Sequence, residues 1–266
     1  MSQHKKETIQ HTLLVAFVLC VVCSVIVAGA AVALKPVQSA NKALDRQRNI
    51  LSAAGMTGGG ALDSAEIQQL FSKFEVRLVD LETGDYAGDD VDLDPERYDQ
   101  KKAAKDPQLS EALPGDEDIA NIKRRERFSQ VYLLEDNGRL QKIVLPIRGY
   151  GLWSTLYGFL VLEGDANTVI GLAYYDQKET PGLGGEVDNP KWKAMWPGKQ
   201  VFDDKGNVAI SLAKGGVDPD SPKAIHQVDA LSGATLTSVG VENMLHFWLG
   251  ENGFGPYLNK IRGGAV

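Results

Sequence analysis

The residues best placed to do chemistry lie between Asp229 and Ser238, where the hydroxyls of Ser232, Thr235, Thr237 and Ser238 surround Gly233 and Ala234. Apolar residues then recur at Val241, Met244, Leu245, Trp248 and Leu249, the spacing of one face of an amphipathic helix. A small, hydroxyl-rich turn therefore opens a helix. The first turn of a helix carries unpaired N–H groups and a partial positive charge, which suits a phosphate, and a glycine lets the backbone come close to one. The competing reading is that the hydroxyls simply cap the helix.

A second stretch, Glu179-Thr180-Pro181-Gly182-Leu183-Gly184-Gly185-Glu186, sets one leucine among glycines. It lacks the spacing of a dinucleotide fingerprint, and no phosphate-cradling P-loop occurs in the chain, so by itself it reads as a loop with a Pro-Gly turn. His226, Asp229 and Ser232 or Thr235 have the residue types of a hydrolase triad. Triad members normally come from separate elements, however, and no G-x-S-x-G elbow is present. The two cysteines, Cys20 and Cys23, both lie within an apolar run, where they read as small packing residues. No four-ligand metal set can be assembled, and the rest of the chain can hold no disulfide.

These residues need elements to position them. Leu13 to Leu34 is uncharged over 22 residues, enough for a helix to cross the roughly 30 Å hydrocarbon layer of a bilayer. The small-x-small Ala31-Val32-Ala33 would fit a cleaved signal peptide, but the run exceeds the ~7–15 residues of a signal's apolar region, so an uncleaved anchor is expected. Lys35-Pro36 is expected to end it, with a stalk over residues 35–62 broken at Gly55 and at Gly58-Gly59-Gly60. Asp63-Ser64-Ala65-Glu66 has the form of a capping box before Ile67, Leu70 and Phe71. Residues 84–127 read as peripheral short elements. From Gln130 the pattern turns strand-rich: Asp136-Asn137-Gly138 marks a hairpin, and Tyr157–Leu162 with Val169–Tyr175 a second antiparallel pair. Pro190 to Trp196 suggests a short helix, and Val208–Leu212 and Ile225–Val228 two more short strands. The expected architecture is α+β: a short segment 1–12, a single transmembrane anchor 13–34, the stalk, and a domain 63–266 built on a mixed, mainly antiparallel sheet with flanking helices.

Charge narrows the partners. The whole chain is at −7, with 28 basic and 35 acidic side chains. Six of the basic ones and two of the acidic ones fall within the first 48 residues, which leaves 22 against 33, or −11, for the remainder. Such a surface excludes a nucleic-acid binder. Two lysines before the apolar run and four basic residues soon after it favour a cytoplasmic domain, although long domains translocate largely regardless of flanking charge.

Asp229–Thr235 (DALSGAT) resembles the flavin-attachment motif of the C-subunit family of the Na+-translocating NADH:quinone reductases, whose S-G-A-T core is shared by the G subunit of Rnf complexes. Residues 146–153 (PIRGYGLW), 179–184 (ETPGLG), 247–250 (FWLG) and 253–256 (GFGP) are also similar to that family, so the resemblance spans nearly the whole chain. It implies FMN bound through a phosphoester to Thr235, added by a flavin transferase. Ser232, Gly233, Ala234, Leu236 and Thr237 would cradle the phosphate. Thr180, Gly182, Leu183 and Gly184 would form a loop over the ring. Trp153 and His226 are candidate neighbours of the flavin; the alternatives are a core tryptophan and a satisfied histidine.

The resemblance further implies an electron-relay subunit of the NADH:quinone reductase, with no complete active site on this chain alone. Its partners would be the other subunits of the complex and membrane lipid. It would sit in the bacterial inner membrane with the soluble domain periplasmic, against the charge count. An Rnf-type subunit and a membrane-anchored, non-redox binding or assembly module are the alternatives.

Overall fold

The computed structural model describes residues 9–58, 60, 62–88 and 91–264. Gly59 and most of the short segment 1–12, including Lys5, Lys6 and Glu7, lie outside the described residues. The chain divides into two units, Met1–Asp45 and Arg46–Val266.

In the first unit, the apolar run forms part of a helix, α1 (Ile9–Ala53). Every side chain from Leu13 to Leu34 is exposed, with Phe17 and Val27 each at 67%, an arrangement costly in water and natural in lipid. Contrary to the expected break at Lys35-Pro36, the helix runs through Pro36. The missing N–H and the ring of a proline weaken one turn, and the good helix formers on either side outweigh that penalty.

The second unit begins earlier than the sequence suggests. Ile50 and Leu51, read as stalk, are fully buried in it, and Gly55, with φ of 69°, ends the helical path. The capping box forms as expected: the Asp63 carboxylate accepts from the N–H of Ala65 and Glu66, the Glu66 side chain accepts from the N–H of Asp63, and α2 (Ser64–Phe71) follows.

A five-stranded antiparallel sheet carries the unit, in the order β1 (Phe74–Asp80), β4 (Phe128–Asp136), β5 (Arg139–Tyr150), β6 (Thr155–Glu163), β7 (Val169–Asp176). Asn137 and Gly138 take positive φ in the tight turn between β4 and β5, as the sequence signal required. Between β1 and β4, α3 (Gln100–Ala103) and the two-stranded pair β2 (Ser110–Ala112) and β3 (Arg124–Glu126) fill residues 84–127. This region is not merely peripheral, since Arg125 is 7% exposed and Glu126 is fully buried. Glu126 pairs with Arg148 of β5 at 2.6 Å.

After β7 come a 3-10 turn at Gly184–Asp188, α4 (Pro190–Lys193), β8 (Ser211–Ala213), a second 3-10 turn at Pro222–His226, β9 (Gln227–Asp229), α5 (Thr235–Leu249) and α6 (Gly255–Arg262). The expected strand at Val208–Leu212 is confined to β8, and the run from Ile225 is a 3-10 turn before it becomes β9. The two short strands pair in parallel. α5 lies on β5, where the indole N–H of Trp248, fully buried, donates to the carbonyl of Arg148 at 2.6 Å.

Candidate functional site

α5 begins at Thr235, the last residue of S-G-A-T, and its N-cap position is Ala234, which offers no side-chain hydrogen bond to the first turn. The capping alternative for these hydroxyls therefore fails at this helix. The hydroxyls divide sharply. Ser238 is 4% exposed; its Oγ accepts from the N–H of Leu231 and donates to the carbonyl of Ala234, both at 3.0 Å, which staples the turn to the helix. Thr237 is 1% exposed and donates to Glu179 Oε2 at 2.8 Å. Ser232 and Thr235 are exposed, and no group among the described residues hydrogen-bonds the Thr235 hydroxyl. Gly233, with φ of 73°, makes the bend that only glycine adopts without strain, and Leu183 Cδ2 packs against the space its missing side chain leaves. The site thus presents one free threonine hydroxyl beside a run of unsatisfied N–H groups.

Three segments meet here, and one carboxylate joins them. Glu179 is 5% exposed. Its Oε1 accepts from the N–H of Trp153 and of Ser154, each at 3.0 Å, and the N–H of Leu152 lies 3.2 Å from both oxygens. The hydroxyls of Thr237, on Oε2, and of Ser154, 3.4 Å from Oε1, complete the set. Burial alone would push the Glu179 carboxyl up; the donors from Trp153, Thr237, Leu152 and Ser154 outweigh it and hold the group below the usual carboxylate range. Gly184 allows the closure, because a Cβ there would stand 2.5 Å from Thr237 Oγ1 and 2.8 Å from Glu179 Oε2. Thr180 anchors its own loop through its carbonyl, which accepts from the N–H of Leu183 and Gly185, and Gly182, at φ of 77°, turns the chain between Thr180 and Leu183.

The same segments carry exposed apolar side chains: Leu183 at 44%, which reaches the bend at Gly233, Leu236 at 60%, next in the chain to Thr235, and Trp153 at 66%, on the turn that Glu179 holds. Trp153 is not a core tryptophan. The core role falls instead to Trp192, Trp196 and Trp248. His226 places Nδ1 2.8 Å from the carbonyl of Gln200, so that ring nitrogen is already committed to the backbone. The structure brings together residues 153, 180–184 and 232–237, while the side-chain hydrogen bond of His226 goes to Gln200, outside those segments. Sequence reasoning missed Glu179 as the organising residue. Its only signal was its place at the head of the glycine-rich stretch.

A family model described as FMN-binding domain matches residues 151–250, a span that begins at the turn held by Glu179 and ends where α5 does. The C subunit of the Na(+)-translocating NADH-quinone reductase from Pseudomonas aeruginosa is 57% identical over 262 residues, covering 98% of this chain and 99% of its own. The chain belongs to the C-subunit family of the Na(+)-translocating NADH-quinone reductases. The C subunit from Yersinia pestis is 49% identical over 98% of this chain and 96% of its own. Among solved structures of the family, NqrC of Shewanella oneidensis superposes with a TM-score of 0.75 at 38% identity, covering 84% of this chain and 99% of that one. The C subunit from Parabacteroides distasonis gives 0.63 at 28%, covering 85% and 96%. Against this family match, the Rnf-type subunit and the non-redox module are set aside.

Proposed function

We propose that this chain, an electron-transfer flavoprotein subunit of the Na+-translocating NADH-quinone reductase complex with an FMN-binding domain, holds its FMN as a phosphoester on Thr235. The single observation that carries the attachment site is the partition of hydroxyls: Thr237 and Ser238 are buried and hydrogen-bonded, while Thr235 is exposed at an uncapped helix start. The residues present fit the group. The backbone N–H groups at the start of α5 and the bend at Gly233 suit phosphate oxygens, and Leu183, Trp153 and Leu236 offer the apolar surface a flavin ring needs.

When bound, FMN supplies the redox chemistry, and the protein sets its position, electrostatics and access to solvent. The helix start would neutralise the phosphodiester charge. Thr180, Gly182 and Gly184 shape the loop that carries Leu183. A covalent tether keeps the cofactor on a surface as open as this one. In this reading a flavin transferase makes the bond from FAD, the Thr235 oxygen replacing AMP on the FMN phosphorus, and Leu13–Leu34 crosses the bacterial inner membrane, in contact with lipid, leaving Arg46–Val266 periplasmic.

The test is mass analysis of the full chain expressed with and without a flavin transferase, as wild type and as Thr235→Ala. One FMN adduct is expected on wild type, only with the transferase, and none on the variant. An adduct that persists on Thr235→Ala refutes the assignment.

A further inference from the structure

We propose that Glu179 is a positioning residue that acts as a fixed anion: it clasps the 152–154 turn and the first turn of α5 to its own loop and, by its charge, lowers the reduction potential of the flavin. This rests on attachment at Thr235, but it is a separate claim about a residue whose carboxylate bonds Leu152, Trp153, Ser154 and Thr237 and not Thr235.

The geometry argues for charge as well as shape. A tie between three segments needs only a hydrogen-bond acceptor, and a neutral amide could offer one at a smaller desolvation cost. The chain instead buries a carboxylate and surrounds it with donors alone: the N–H groups of Leu152, Trp153 and Ser154 and the hydroxyls of Ser154 and Thr237. Its own N–H is satisfied separately by the side-chain carbonyl of Gln177 at 2.7 Å. No Lys or Arg pairs with Glu179 among the described residues, so its negative charge is neutralised only by dipoles. Thr237, which it grips, stands in the same helical turn as Thr235; the turn it holds carries the exposed Trp153, and its own loop carries the exposed Leu183, whose Cδ2 reaches the bend at Gly233. An unpaired anion in a partly desolvated setting acts over several ångströms and opposes any further negative charge placed nearby. Adding an electron to a flavin held there is therefore disfavoured.

The experiment compares midpoint potentials of the flavin on the purified full chain, loaded by the transferase, for wild type, Glu179→Gln and Thr237→Val. Glu179→Gln removes the charge and keeps the size; Thr237→Val removes one strand of the tie and leaves the charge. A more positive potential in Glu179→Gln with little change in Thr237→Val is the expected result. An unchanged potential in loaded Glu179→Gln, or an equal shift in Thr237→Val, overturns the proposal. If Glu179→Gln takes up no flavin, Glu179→Asp must still load and keep a potential close to that of wild type; failure to load, or a shifted potential, overturns it. Absence of flavin from wild-type Thr235 would instead refute the attachment site, an outcome the mass analysis detects independently.

Discussion

Which of several neighbouring hydroxyls is open for chemistry is decided by what each already bonds to, and here the decision rests on small residues as much as on polar ones. Gly184 lets the loop close to hydrogen-bonding distance of Thr237, and a methyl group at that position would intrude on both Thr237 Oγ1 and Glu179 Oε2. Gly184→Ala should cost roughly 1–3 kcal/mol, the usual range for an added methylene in a tight site. It should also reduce flavin loading without moving the attachment site. Thermal unfolding and in-gel flavin fluorescence read the two effects, and full loading at wild-type stability would show that the closure is dispensable. The helix and the hydroxyl-rich turn that opens it were visible in the sequence, because small residues before an apolar stripe have a physical meaning; the choice of Thr235 among those hydroxyls came only from the family resemblance. Glu179 was not visible in the sequence, since its role depends on two segments, one some 25 residues before it and one 58 residues after it, converging on one carboxylate.

At the level of elements, local signals read well and long-range ones poorly. The hairpin at Asn137-Gly138 and the capping box at Asp63 formed where their residue types demanded. The parallel pairing of β8 with β9 and the burial of β3 left no such trace, because tertiary partners create both. The ion pair between Glu126 and Arg148 is the sharpest case. It joins β3 to β5 beneath α5, with side-chain exposures of 0% and 8%; Gln100 of α3 also bonds Glu126, and the Arg148 guanidinium sits 5.3 Å over the Trp248 ring. Glu126→Ala would leave a buried guanidinium without its counter-charge, and the expected loss is about 3–5 kcal/mol. Arg97→Ala, which breaks the exposed pair with Asp94, should cost no more than about 0.5 kcal/mol. Equal melting temperatures for the two variants would mean that the buried pair is not what fastens residues 84–127 to the sheet.

For the whole molecule, the open contest is between two kinds of charge argument. Four basic residues after the apolar run, against two before it, hold the large unit on the cytoplasmic side by the positive-inside count, yet that count loses force for long translocated domains. The strongly acidic remainder at −11 gives no independent pull toward an anionic cytoplasmic leaflet. Periplasmic placement therefore predicts that trypsin added to intact spheroplasts cuts at exposed sites such as Lys205 and Lys214, and that the same sites in inside-out vesicles are protected until detergent is added. The fragment pattern, read by mass, would name the cut sites. Protection in spheroplasts with cleavage in inside-out vesicles would reverse the orientation. It would also put the flavin transferase that serves Thr235 on the cytoplasmic side, because enzyme and threonine must share a compartment for the bond to form.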